Sequence, residues 1–98
     1  MTLPVLLAQW ARTVDFLERQ PVSAAEFASE VLLRHEIAKR LQTQPVTRET
    51  RDLLAEIDEH FRGITEAHTV CTLDPATTEI TGWTPVREWY AWRRPREA

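Results

Sequence analysis

Ninety-eight residues with a formal net charge of −3 suit one domain. A chain of this size buries roughly 60–65% of its extended-state surface, which leaves room for three or four short helices and none for a deep cleft inside a doubly wound sheet or barrel. At 43% hydrophobic and 28% charged, with only two glycines, the composition is that of a folded, helix-favouring chain, and its mild acidity argues against DNA as a general partner.

The single cysteine, Cys71, excludes an internal disulfide and a zinc site built from several thiolates, which is compatible with a cytoplasmic protein. The opening MTLPVLLAQWARTVDF has one short apolar run, no basic leader and early charges, so neither a signal peptide nor a membrane span is expected. Charge is unevenly distributed. Residues 1–50 balance acids and bases, residues 51–92 carry eight acids against three bases, and the closing RRPREA is basic. An acidic middle suits a basic partner.

The first helix starts at Pro4, which is tolerated in a first turn, and places Leu6, Trp10, Val14 and Leu17 on one side. Gln20-Pro21 ends it, because the residue before a proline is pushed out of the helical region. Ser23 followed by Glu26 is a capping box, with Val22 as a staple, and opens a second helix to about Gln42. Its face is Phe27, Val31, Ala38 and Leu41, widened by Ala24, Leu32, Leu33 and Ile37; Pro45 closes it. Thr47 caps the third and longest helix, expected to run to His68. Leu53, Leu54, Ile57, Phe61 and Ile64 form its core stripe, and Asp52, Glu56, Asp58, Glu59 and Glu66 make its other faces acidic. Asp58 to Arg62 and Arg62 to Glu66 read as surface pairs on this helix, as does Glu36 to Arg40 on the second.

After His68 the texture changes. Thr69–Leu73 and Thr78–Thr81 read as short extended pieces around the Asp74-Pro75 turn pair, and Thr84-Pro85 opens a last short helix over VREWYAWRR, with a frayed RPREA behind it. The fold expected is therefore all-α: a single domain over residues 1–98, a small antiparallel three- to four-helix bundle with an irregular Thr-rich segment before a short C-terminal helix.

Chemistry is sparse. His60, His68, Cys71 and Asp74 are the one cluster of potential ligands, but the two histidines stand two helical turns, about 12 Å, apart on a continuous helix. A mixed-ligand site in a Thr-rich loop is a weak pattern, and no cofactor or metal is expected. No nucleophile–base order or phosphate-cradling glycine motif is present, and acids on a convex helix have no cleft to raise a pKa, so the expectation is not an enzyme. His35 reads as a boundary histidine. Trp83, Trp89, Tyr90 and Trp92 carry more apolar area than a surface tolerates and read as a lid that completes the core; the alternative is that Trp92 or Tyr90, rimmed by Arg87, Arg93 and Arg94, is an exposed anchor for a partner.

An early helix ending in Phe16-Leu17, then Ser23-Ala24-Ala25-Glu26-Phe27 opening a second, then Leu53-Leu54 through Ile57 and Phe61 in an acidic third, resembles the bacterial colicin-type immunity proteins. The likeness is to the colicin D immunity-like group and covers residues 5–66. It implies a small helical bundle that binds the catalytic domain of a cognate nuclease toxin and covers the basic site meant for RNA. Asp52, Glu56, Asp58 and Glu59 would then be the contact set. After residue 69 the chain departs from that pattern, with a Thr-rich stretch and a Trp-rich tail where a further acidic helix is expected. The leading expectation is a small acidic protein that neutralises a basic protein partner. Two others stand beside it: an assembly module or homodimer using the Trp-rich segment, and a small metal protein or enzyme using His60, His68 or Cys71.

Overall fold

The structure, a computed structural model, describes residues 2–73 and 82–96. Three helices lead: α1 (Leu3–Arg19), α2 (Ala24–Thr43) and α3 (Arg48–Ile64). Each starts where local chemistry says it should. Proline occupies the first turn of α1, Ser23 Oγ accepts from Glu26 N at 3.1 Å, and Thr47 Oγ1 accepts from Thr50 N at 3.2 Å.

The helix α1 packs against both α2 and α3. Its Trp10 and Val14 are fully buried among Phe27, Val31 and Ile37 of α2 and Leu54, Ile57 and Phe61 of α3. Phe61 is the hub. Its ring centroid lies 5.0 Å from that of Trp10, 6.1 Å from Phe27 and 6.0 Å from Trp89, the spacing at which aromatic pairs attract beyond their area burial. Three residues expected on the core faces turn outward: Ala24 and Leu32 on α2, and Leu53 on α3, which is 48% exposed.

The third helix is shorter than its periodicity suggests. It stops at Ile64, and Thr65–Ala67 become a strand, β1, which pairs antiparallel with β2 (Arg93–Pro95) in the register Thr65↔Pro95, Glu66↔Arg94, Ala67↔Arg93. The helix end explains why. The last four carbonyls of any helix lack intrahelical donors, and here all four are satisfied from elsewhere. Thr65 Oγ1 donates to Phe61 O at 2.7 Å, Arg93 Nη2 to Arg62 O at 3.2 Å, Arg96 Nε to Gly63 O at 3.1 Å and Arg96 N to Ile64 O at 3.2 Å. The basic tail, expected to fray, instead sits on the negative end of the α3 dipole.

The molecule is thus a helical bundle completed by a two-stranded antiparallel sheet, not a purely all-α one. The expected C-terminal helix contracts to one 3₁₀ turn, Trp89–Trp92. Thr84 and Glu88 do make a cap, with Thr84 Oγ1 accepting from Arg87 N at 3.1 Å and Glu88 Oε1 from Thr84 N at 2.8 Å. The strand that begins at Arg93 prevents propagation. Thr69–Leu73 is bends and irregular chain, not a strand, while Thr78–Thr81 and Asp74 lie outside the described residues. Among the described residues no helix is long and apolar enough to cross a membrane.

Candidate functional site

The stripe that buries Leu54 and Phe61 also carries Asp58, one turn from each, so the packing of α3 takes a carboxylate into the interior. Asp58 Oδ1 accepts from Trp10 Nε1 at 3.1 Å and from Arg34 Nε at 2.9 Å, and Oδ2 accepts from Arg34 Nη2 at 2.9 Å. The pair is bidentate, and its side chains are 7% and 9% exposed. Such a pair survives desolvation only with good geometry and further hydrogen bonds, and the indole supplies one. The Arg34 guanidinium also lies over the rings of Tyr90, at 5.1 Å, and Trp89, at 5.8 Å. Its Nη1 has no hydrogen-bond partner among the described residues.

Beside this pair, Tyr90 Oη meets His35 Nδ1 at 2.7 Å, and the His35 ring packs on Trp83 at 4.3 Å between centroids. Burial, helped by the charge of Lys39, lowers the His35 pKa, so at neutral pH the ring is uncharged and shares one hydrogen bond between Nδ1 and the tyrosine hydroxyl. Burial also holds that hydroxyl protonated, pushing the Tyr90 pKa up to about 12 against the nearby Arg34 charge. The junction therefore joins all three helices and the C-terminal turn. Asp58, expected on the acidic contact face, is withdrawn from it, because its acceptors are occupied inside. Tyr90, the alternative exposed anchor, is 2% exposed, and Trp92 is half-buried against the core.

The outer side of α3 is different. Glu49, Asp52, Glu56 and Glu59 follow one another at steps of three, four and three, and all are exposed. Two cations stand at the edge of ion-pairing range, Arg48 at 4.0 Å from Asp52 and Arg62 at 3.9 Å from Glu59. Arg62 is also stacked on Trp89 at 3.9 Å, so it does not reach Asp58 or Glu66 as expected; Glu66 pairs with Arg94 at 2.8 Å instead. Among the described residues, the side chains of Glu49 and Glu56 make no ion pair or hydrogen bond. Leu53 lies between them on this surface, and at its edge His60 contacts Glu18 of α1.

The remaining residues of interest do not converge. Although the chain does leave the helix between His60 and His68, His68 Nδ1 accepts from Val70 N at 3.2 Å and takes part in a local turn. Cys71 is half-buried in a groove of about 370 Å³, with Phe27, Val22, Thr72 and Arg93 among its walls. Among the described residues no group of three or more His, Cys, Asp or Glu is placed to hold a metal.

Sequence reasoning misses the Arg34–Asp58 pair, yet its signal is present. Phe27, Val31, Arg34, Ala38 and Leu41 share one helical stripe, as do Leu54, Asp58 and Phe61. A cation on one apolar stripe and an anion on another is the pattern of a buried pair. The tail arginines carry no such local mark. No family model matches the chain, and no curated protein or solved structure shows significant similarity to it.

Proposed function

We propose that this protein is a small binding module that covers a basic surface on a protein partner. We take the partner to be a nuclease toxin of the kind neutralised by the immunity proteins that residues 5–66 resemble. The observation that carries this reading is the outer stripe of α3: four exposed acids around an exposed leucine, with Glu49 and Glu56 lacking any cation of their own among the described residues. Unpaired carboxylates on a convex helix steer a basic surface toward them and block the route of an anionic substrate. Leu53 supplies an apolar contact within a polar rim, the arrangement favoured at the centre of protein interfaces. Asp58 serves this reading indirectly: by fixing α3 against α2 it sets which acids face outward.

The test pairs the purified chain with a basic nuclease domain encoded beside it. The expected result is a one-to-one complex that stops RNA cleavage and whose association rate falls at least about tenfold from low to moderate salt. Glu56→Lys combined with Glu59→Lys should slow association and weaken the complex while leaving the thermal melt in place. Undiminished affinity in that double variant would overturn the acidic-face reading.

A further inference from the structure

The groove beside Cys71 is built from three parts of the chain: the start of α2, the segment after β1, and β2. Its volume of about 370 Å³ falls at the lower end of the range of small-molecule sites, about 300–1,000 Å³. Val22, Ala24, Phe27, Val70 and Pro95 make much of its wall apolar. Val70 is 63% exposed, so one of these apolar side chains stands largely in water.

The polar part of the wall is one-sided. Among the described residues, Arg93 and Arg94 line the groove and no carboxylate does. In a chain of net charge −3 that is a local reversal of sign. Arg94 Nε donates to Glu66 Oε1 at 2.8 Å, and the arginine side chain is still 51% exposed. Arg93 is different. Its donors go to Thr65 Oγ1, Thr65 O and Arg62 O, all neutral, so its charge has no counter-ion among the described residues. Burial, with the charges of Arg62 and Arg96, lowers its pKa, the sign of crowded positive charge. The same wall includes Ser23, whose Oγ accepts from Glu26 N and keeps its own proton to donate. Ala24 follows it in the first turn of α2, where amides lack intrahelical acceptors.

We propose that this groove binds a small amphiphilic anion, an apolar body with one carboxylate or phosphate head. The body lies on Val22, Phe27 and Val70, and the head lies toward Arg94 and the uncompensated charge of Arg93. The wall argues for both halves of the ligand. A hydrocarbon alone leaves Arg93 without a counter-ion, and an inorganic anion alone leaves Val70 wet. A guanidinium fork matches the oxygens of either head group. The groove uses none of the outer acids of α3, so its occupancy is independent of the partner proposed above.

Cys71 lines the groove and is the single cysteine, so its rate of alkylation by iodoacetamide reports occupancy in the full chain. Octanoate or octyl phosphate should slow that reaction at least about threefold, with a dissociation constant below ~1 mM. Whichever of the two binds tighter identifies the head group. Octanol and inorganic phosphate each carry one half of the ligand and should bind at least about tenfold more weakly. Arg94→Gln should weaken octanoate binding about tenfold, since it removes a charge-assisted contact, and Arg94→Lys should recover part of the loss. Ala24→Trp, at an exposed position, should fill the groove and abolish the protection. Calorimetric titration of the parent chain needs neither a variant nor the thiol and should give the same constant. Binding of both amphiphiles weaker than ~1 mM overturns the proposal. So does octanol or phosphate binding as tightly as octanoate, or an Arg94→Gln chain that keeps the parent's melting curve and its affinity. Variants in the outer acids of α3 should bind octanoate as the parent does, so failure of the nuclease test leaves this site in place.

Discussion

The inward and outward sides of α3 use the same chemistry to opposite ends. Asp58 and Glu59 are adjacent carboxylates, yet one is bound by Arg34 and Trp10 in the interior and the other stands in water with a cation 3.9 Å away. The difference is the rotation of the helix, set by where Leu54, Ile57 and Phe61 find partners. Coulomb attraction between two ions is several times stronger in the interior than at the surface, and so is the penalty for leaving one alone. The inner carboxylate is therefore a structural element, while the outer ones are available to a second molecule.

The largest effect that can break this comparison is expected at Asp58. Asp58→Ala leaves Arg34 charged and unpaired and Trp10 Nε1 without an acceptor, and should destabilise the fold by about 3–5 kcal/mol in urea titration. Replacing both ions, Arg34→Met with Asp58→Leu, should cost far less; an equal cost would show that the pair does not act as a unit.

Next comes the helix end. Arg93 donates to Arg62 O, Thr65 O and Thr65 Oγ1. Arg93→Met should cost about 2 kcal/mol, the range for charge-assisted bonds at a helix C-terminus. It should also speed hydrogen exchange at His68 N, which is protected through Trp92 O, just ahead of β2, at 2.8 Å. Unchanged exchange there would mean that the sheet does not need this cap.

A smaller, pH-dependent effect marks the tyrosine–histidine contact. Tyr90 is the single tyrosine, so phenolate absorbance reports it alone. The folded protein should show that absorbance near about 12 and the urea-unfolded chain near the ordinary 10. As pH rises through 10 the unfolded chain loses a proton that the folded chain keeps, so stability should fall on the alkaline side. The opposite limb belongs to His35, whose folded pKa lies below 6.5. Its contribution is present above 6.5 and lost as pH falls, because the unfolded chain then takes up a proton that the folded one resists. His35→Gln should flatten that acid limb; an unaltered limb would assign it to other groups.

The smallest stability effect sharpens the contrast with Asp58. Glu56→Ala should move the unfolding free energy by no more than about 0.5 kcal/mol, as expected of a surface substitution. A larger change would place Glu56 in the fold and remove it from the outer face.

The order and starting points of the three long helices are legible in the amino-acid sequence. Pro4, Ser23 and Thr47 act on the backbone within one turn, and the three- and four-residue spacing of Trp10 with Val14 and of Leu54, Ile57 and Phe61 requires no knowledge of what lies opposite. So the sequence alone determined three amphipathic helices, the third of them acidic. What it did not determine depends on residues far apart in the chain. Asp58 turns inward because Trp10 and Arg34 meet it from 48 and 24 positions away. Leu53 turns outward because one side of α3 can face α1 and the core, not both sides. The helix ends at Ile64 because arginines from the tail supply donors to its last carbonyls. Periodicity reports that a face is apolar; only packing decides which polar residue at its margin is taken inside, and that choice separates the buried ion of α3 from its outer, acidic face.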